Sequence, residues 1–192
     1  MNVEVIIETL VFSGYGLARL NGKVLFVRYV LPGEKVLVSI VSEKKDFIYA
    51  NLIQVIEPSP ERVVPVCKNF SICGGCDYLH MDYKTEVEYK KKIVHEQLLR
   101  SLPNGVTIPN IEIITGARYH YRSHCEIKYC NGVAGYFKKE SNTHVPFPKA
   151  GCYLLQKELI SAVKTEKWEC MSPKSPDIAD EIKWAADHKG QC

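Results

Sequence analysis

Cys67-Lys68-Asn69-Phe70-Ser71-Ile72-Cys73-Gly74-Gly75-Cys76 puts three thiols into one short turn, with two glycines between the last two. Glycine admits positive φ, so Gly74 and Gly75 are expected to let the backbone curl around a bound object. Without side chains, their N–H groups can also approach sulfur closely. Three converging thiolates repel one another unless a cation, a cluster or a disulfide neutralises them. The stretch therefore reads first as a metal site that needs a fourth ligand from elsewhere.

Two metal chemistries compete for it. Structural zinc sites usually bring two Cys-x-x-Cys knuckles, or one knuckle and a pair of histidines. Here one knuckle, Cys73/Cys76, is preceded by Cys67. Iron–sulfur clusters often take several thiolates from one tight loop and a last one from far away. The remote thiols are Cys125, Cys130, Cys152, Cys170 and Cys192, and His80 is near enough in sequence to complete a Cys3His zinc site. Cys125 falls on the apolar face of an expected strand, where a cysteine behaves as a small hydrophobe. Cys192 is the last residue. Cys152 follows a glycine at an expected strand–helix junction, where a thiolate can project freely, and is the preferred fourth ligand.

A length of 192 residues suits one or two domains, and 46% hydrophobic residues suffice for a core. The net charge of +3 is unevenly spread. Residues 58–150 hold 13 basic against 9 acidic side chains, whereas residues 1–57 hold 6 of each. The excess lies on the segment with the cysteine turn and favours a polyanionic partner there. Met1 to Leu10 has no basic leader region, and no window is long and apolar enough for a membrane span, so a cytoplasmic location is expected. Structural disulfides are rare in that compartment.

Residues 1–57 read as a small β-barrel. Val3, Val5 and Ile7 alternate with polar residues, Gly14-Tyr15-Gly16 forces a bend, Asn21-Gly22 marks a hairpin and Pro32-Gly33 a turn. Val24–Val30, Val36–Val41 and Tyr49–Ile56 complete about five short strands. The spacing fits an oligonucleotide-binding type barrel or an SH3-like one equally. Pro58-Ser59-Pro60 ends this unit. Residues 58–168 follow as an α+β domain that carries the cysteine turn. Asp82 is the expected N-cap of a helix with Tyr83, Val87, Val94, Leu98 and Leu102 inward, stopped by Pro103-Asn104-Gly105. Ile111–Ile114 reads as a short strand. Ser123–Tyr129 alternates, with Cys125, Ile127 and Tyr129 on one face, and turns at Asn131-Gly132 into Val133–Phe137. A second helix buries Leu155, Leu159, Ile160 and Val163. Residues 169–192 are a tail of uncertain structure, with a short helix expected across Asp177–His188.

These motifs together resemble the N-terminal part of the iron–sulfur RNA (uracil-5-)-methyltransferase family. Gly14-Tyr15-Gly16-Leu17-Ala18-Arg19, Gly22-Lys23-Val24-Leu25-Phe26-Val27 and Leu31-Pro32-Gly33-Glu34 resemble its leading TRAM domain, an RNA-binding barrel, which settles the choice of barrel. Ser59-Pro60-Glu61-Arg62 and Cys67-x5-Cys73-Gly74-Gly75-Cys76-x3-His80 resemble its cluster motif. Tyr121-Arg122 resembles the start of its central signature, and Gly135-Tyr136-Phe137 a following strand. The resemblance implies a [4Fe–4S] cluster on Cys67, Cys73, Cys76 and Cys152, and an RNA substrate, ribosomal or transfer. Three positions depart from the family pattern: Leu79 replaces a glutamine, and Ser123-His124 replace Asn-Lys.

The resemblance also implies S-adenosylmethionine as cofactor, yet nothing after Cys152 shows the strand–glycine turn–helix pattern of its binding domain. A complete Rossmann-like methyltransferase domain is therefore not expected in this chain. No catalytic residue is assigned, and turnover is expected to need a separate domain or polypeptide. The alternative is a free-standing RNA-binding module with an iron–sulfur cluster or zinc. Lys68, Arg122, Lys138 and Lys139 are candidate phosphate contacts. Phe70, Tyr78, Tyr119, Tyr121, Tyr136 and Phe137 are the aromatics available for base stacking or for core packing.

Overall fold

The computed structural model describes residues 1–103 and 105–165, and the backbone of 180–185. It divides into two compact units. Met1–Pro65 joins Asp77–Thr115 in the first; Val66–Cys76 joins the residues from Gly116 onward in the second. The units interleave along the chain, whereas the sequence reading divides it into consecutive spans, 1–57, 58–168 and 169–192.

The first unit is a curled six-stranded sheet. Its strands are β1 (Asn2–Ile6), β2 (Thr9–Val11), β3 (Tyr15–Leu20), β4 (Lys23–Arg28), β5 (Lys35–Glu43) and β6 (Phe47–Glu57), in the order β1-β5-β6-β4-β3-β2. The two outer strands are consecutive in the chain, separated by Ile7 and Glu8 alone. One continuous stretch thus serves both edges, and the sheet curls on itself. Ile7 N–H donates to Glu34 O (3.0 Å) and Glu8 N–H to Leu17 O (2.8 Å) across that joint. All pairs are antiparallel except β4 with β6.

Alternation sets the inner face. Ala18, Leu25, Val27, Val36, Val38 and Ile48 are buried together, each valine, leucine or isoleucine contributing about 1.5–3 kcal/mol on burial. Asn21 and Gly22, at φ 51 and 80, form the turn that joins β3 to β4. Gly16 is required for close approach: a Cβ there would stand 2.3 Å from Val30 Cγ2.

Helix α1 (Tyr83–Ser101) belongs to the same unit. Asp82 Oδ1 accepts from Thr85 N–H at 3.0 Å, as expected of the N-cap. Leu102 leaves the helix in an extended conformation, as a residue before proline must. The inward stripe is not the expected one. Ile93 is buried with Leu10, Leu31 and Met81, and Tyr89 packs against them, while Val94 and Leu102 are exposed. The helix has two apolar stripes, and the core took the one four residues apart at Tyr89 and Ile93. Ile111–Ile114 forms no strand: it finds no ladder partner, and Ile114 lies open to solvent.

The second unit holds a four-stranded antiparallel sheet in the order β10-β7-β8-β9. Its strands are β7 (His124–Cys130), β8 (Val133–Phe137), β9 (His144–Pro146) and β10 (Asp180–Ala185). Helix α2 (Lys157–Thr165) packs Leu159 against Cys125, Ile127, Tyr129 and Leu155. Asn131 and Gly132, at φ 52 and 74, make the expected hairpin turn. Residues 180–185, expected as part of a helix, instead pair with β7 from Asp180↔Tyr129 to Ala185↔His124. An available ladder edge overrides a short helical pattern. The rest of that expected helix lies outside the described residues. No helix among them is long and apolar enough to cross a membrane.

Candidate functional site

The cysteine turn is held by its own backbone and by β8 and β9. Phe70 N–H donates to Cys67 O (3.1 Å) and Cys73 N–H to Asn69 O (2.8 Å). Asn69 Nδ2 donates to Pro146 O at 2.6 Å, and Gly74 N–H to Phe137 O at 2.9 Å. Cys73 pairs with Lys138 as an isolated bridge. Neither Gly74 nor Gly75 has positive φ; the left-handed residue of the curl is Ser71, at φ 69. The glycines act through close approach instead. A Cβ on Gly74 would stand 3.0 Å from Phe137 O, and one on Gly75 3.3 Å from the Tyr136 ring. Gly75 N–H donates to Cys73 Sγ at 3.4 Å.

Cys152 comes from the turn before α2. Gly151, at φ 93, bends the chain there and donates to Pro148 O at 2.8 Å. Backbone N–H groups of Leu154 and Leu155 stabilise negative charge on the Cys152 sulfur. Arg122 is stitched to the same turn: its N–H donates to Leu154 O (2.9 Å) and its carbonyl accepts from Gln156 N–H (3.0 Å).

The four thiols are half-buried and free. Burial pushes the Cys76 thiol up to about 12, and charge on Cys152, Cys73 and Cys67 adds to the rise. Burial raises Cys73 first, then Cys152 and Cys67. Cys152 is raised by burial against its backbone donors and Arg122. Thiols so placed ionise only beside a compensating positive charge. Arg122 is one such charge for Cys73, Cys76 and Cys152.

The donor set therefore fits a cationic group that draws off thiol protons. Among the described residues, no three His, Cys, Asp or Glu side chains stand close enough to hold a single metal ion. A mononuclear zinc site needs sulfurs about 3.8 Å apart, given Zn–S near 2.3 Å; a four-iron cage interposes iron and sulfide between its ligands.

The other sulfur and nitrogen candidates go elsewhere. Cys125 is buried on β7, and Cys130 lies half-buried at its end. Cys170 and Cys192 fall outside the described residues. His80, the candidate zinc ligand, is 1% exposed in the first unit, with Nε2 3.2 Å from Val30 O. Burial lowers it to about 4, so it is a neutral core histidine.

Of the candidate phosphate contacts, Lys68 and Lys138 are exposed, and Lys139 and Arg122 half-buried. Tyr121 is 51% exposed, while the Tyr136 ring is packed on Phe147 at 4.8 Å.

The sequence reading missed an aromatic face on the curled sheet. Tyr15, Phe26, Phe47 and Tyr49 sit on its outer side, with ring centroids 5.4–6.3 Å apart. The Arg28 guanidinium lies 3.8 Å over the Tyr15 ring. The signal was present: the alternate residues Gly16, Leu25, Val27, Ile48 and Ala50 are buried, so these strands are apolar on both faces.

Residues 2–53 match the TRAM domain. The chain is 37% identical over 124 residues to the 23S rRNA (uracil(1939)-C(5))-methyltransferase RlmD of Vibrio vulnificus, covering 65% of this chain and 28% of that protein. Against the RlmD of Pectobacterium atrosepticum it is 31% identical over 180 residues, covering 91% and 39%. An uncharacterised RNA methyltransferase of Thermotoga maritima is 34% identical over 140 residues, covering 72% and 31%. The fold resembles that of the tRNA (uracil-54, C5)-methyltransferase of Pyrococcus abyssi, solved with S-adenosyl-L-homocysteine. That match has a TM-score of 0.53 at 23% identity and covers 84% of this chain and 35% of that one. The chain spans about a third of the length of these relatives, and it is similar, through its TRAM domain and the stretch that follows, to the TRAM-bearing part of RNA (uracil-5-)-methyltransferases.

Proposed function

We propose that this chain is the RNA-recognising part of a uracil-C5 RNA methyltransferase, and that Cys67, Cys73, Cys76 and Cys152 hold a [4Fe–4S] cluster. The observation that carries the metal reading is that four free, half-buried thiols include the distant Cys152 with the three of the turn, and that burial keeps Cys73, Cys76 and Cys152 protonated in a way a cationic group would relieve. When bound, such a cluster would cross-link residues about 75 apart and contribute a few kcal/mol to the fold. Cys67, Cys73 and Cys76 fix one side of it, Cys152 the other, and Arg122 balances the charge.

The RNA reading rests on the TRAM match and the aromatic outer face with its stacked Arg28. Bases stack on such rings whatever their sequence, while lysines hold the phosphates. Lys68, Lys138 and Lys139 are assigned that second role. The substrate is a uridine-bearing ribosomal or transfer RNA in a reducing cytoplasm, with S-adenosylmethionine bound by a segment other than the described residues. None of those residues is assigned a catalytic role.

Anaerobic purification with iron and acid-labile sulfide analysis tests the cluster. About four irons and four sulfides per chain are expected; zinc without sulfide would overturn the assignment. Gel shift across a salt series tests the partner: RNA binding should weaken steeply with salt, and absence of binding at low salt would refute it.

A further inference from the structure

The Tyr136 hydroxyl oxygen is buried without a hydrogen-bond partner among the described residues. A phenol loses its water there and gets no hydrogen bond from the described residues in return. Two contacts fix the ring. It meets Phe147 edge-on, with centroids 4.8 Å apart at 81°. It also lies on the backbone of Gly75, where a Cβ would stand 3.3 Å from Tyr136 Cδ2 and 3.5 Å from Cε2. Gly75 is the second of the two glycines between Cys73 and Cys76, so the Tyr136 ring lies beside the cysteine turn. Burial holds it protonated, and charge on Cys152, Cys125 and Cys73 reinforces that, with Arg122 opposing. A neutral O–H beside the cysteine turn is a buried donor for which the described residues supply no acceptor.

We infer that the Tyr136 hydroxyl donates a hydrogen bond to a sulfur of the bound cluster and sets its reduction potential, with Arg122 as the fixed counter-charge beside it. The inference rests on the cluster reading above. Hydrogen bonds to cluster sulfurs stabilise the more negative, reduced state and so raise the potential. Tyr136 is thereby a tuning residue of the metal centre and is removed from the set of base-stacking candidates.

The test uses the whole chain, reconstituted anaerobically, with potentiometric titration and resonance Raman spectra in H2O and D2O. Tyr136→Phe should keep its iron and sulfide, move the potential to a more negative value and lose part of the deuterium sensitivity of the Fe–S stretching modes. Site-specific 3-fluorotyrosine at position 136, a stronger donor of nearly the same volume, should move the potential the other way; it decides the matter if Tyr136→Phe loads poorly. Loaded proteins with unmoved potentials and unchanged isotope sensitivity would sink the hydrogen bond alone. A wild-type chain that takes up no iron and sulfide would sink the cluster reading and this inference with it.

Discussion

Arg62 clamps Glu34 with two nitrogens, Nε 2.5 Å from Oε1 and Nη2 2.7 Å from Oε2. Glu34 is fully buried and also accepts from Leu31 N–H (2.8 Å) and Ser59 N–H (3.2 Å). The pair joins two motifs 28 residues apart, Leu31-Pro32-Gly33-Glu34 and Ser59-Pro60-Glu61-Arg62. Burial alone would raise the Glu34 carboxyl, but Arg62 and the two backbone donors win and hold it below its ordinary value. Removing one partner leaves an unpaired buried charge. Arg62→Met should therefore cost about 3–5 kcal/mol. The double replacement Glu34→Leu with Arg62→Met should recover most of that. Urea midpoints of the two proteins decide it; a single variant as stable as the wild type would show that the clamp is ornamental.

His80 gives the fold a pH dependence in a separate window. Its pKa falls from 6.5 to about 4, first through burial and then through the charge of Arg62, while Val30 O, Glu34 and Asp77 oppose the fall. Above pH 6.5 the ring is neutral folded or unfolded, and it contributes no slope. Between 6.5 and 4 the unfolded chain takes the proton first, so stability should fall by about 3 kcal/mol in total. Glu34 works lower: its depressed carboxylate stabilises the fold above pH 4.5, and that contribution is lost as pH falls further. His80→Gln should flatten the melting-temperature profile between pH 6.5 and 4.5. An unchanged slope in that variant would assign the effect to another group.

The sequence was legible where turn chemistry and alternation agreed. Asn21-Gly22 and Asn131-Gly132 placed both hairpins, Asp82 placed the start of α1, and Cys125, Ile127 and Tyr129 marked a buried strand face. It misled where two faces of one element were both apolar. Helix α1 offered Tyr83/Val87/Val94/Leu98 and Tyr89/Ile93, and only packing against Leu10, Leu31 and Met81 chose between them. Strands β3, β4 and β6 hid an outer aromatic face behind an inner aliphatic one. Residues 180–185 show a helical period locally and a strand in place, because β7 offers an edge. A glycine before it at an expected strand–helix junction suggested Cys152 as the fourth thiol, but the orphaned Tyr136 hydroxyl and the burial of Arg122 beside the sulfurs needed three dimensions.

Gly74 is the tightest point of the cysteine turn. A Cβ there would stand 3.0 Å from Phe137 O and 3.2 Å from Lys139 N and Cα. Both neighbours are backbone, so a side chain must push the turn off β8 and strain the Gly74 N–H bond to Phe137 O. Gly75 faces the Tyr136 ring at 3.3 Å and Cys73 Sγ at 3.5 Å, which can give by a few tenths of an ångström. Gly74→Ala should therefore lose most of its iron and sulfide, and Gly75→Ala less. Metal and sulfide per chain, measured on both variants after the same reconstitution, should rank in that order. Full loading of Gly74→Ala would show that the turn need not sit on β8 to hold its ligand.

The aromatic face of the sheet and the lysines of the second unit should separate in a binding assay. Tyr49 is the exposed ring of the group, 5.4 Å from Phe47, 5.6 Å from Phe26 and 5.7 Å from Tyr15. A stacked base is worth about 1–3 kcal/mol, so Tyr49→Ala should weaken single-stranded RNA binding between about fivefold and about a hundredfold. Because stacking releases no counterion, the slope of log Kd against log salt should stay where it was. Lys68→Gln, by contrast, removes a charge, and should lower that slope by nearly one with a modest loss of affinity. Tyr49 packs on the outer side, away from the Leu25 and Val27 core, so its removal should leave the melting temperature within a few degrees. If Tyr49→Ala binds RNA like the wild type while Lys68→Gln does not, the rings serve the sheet alone and the nucleic acid is gripped through charge.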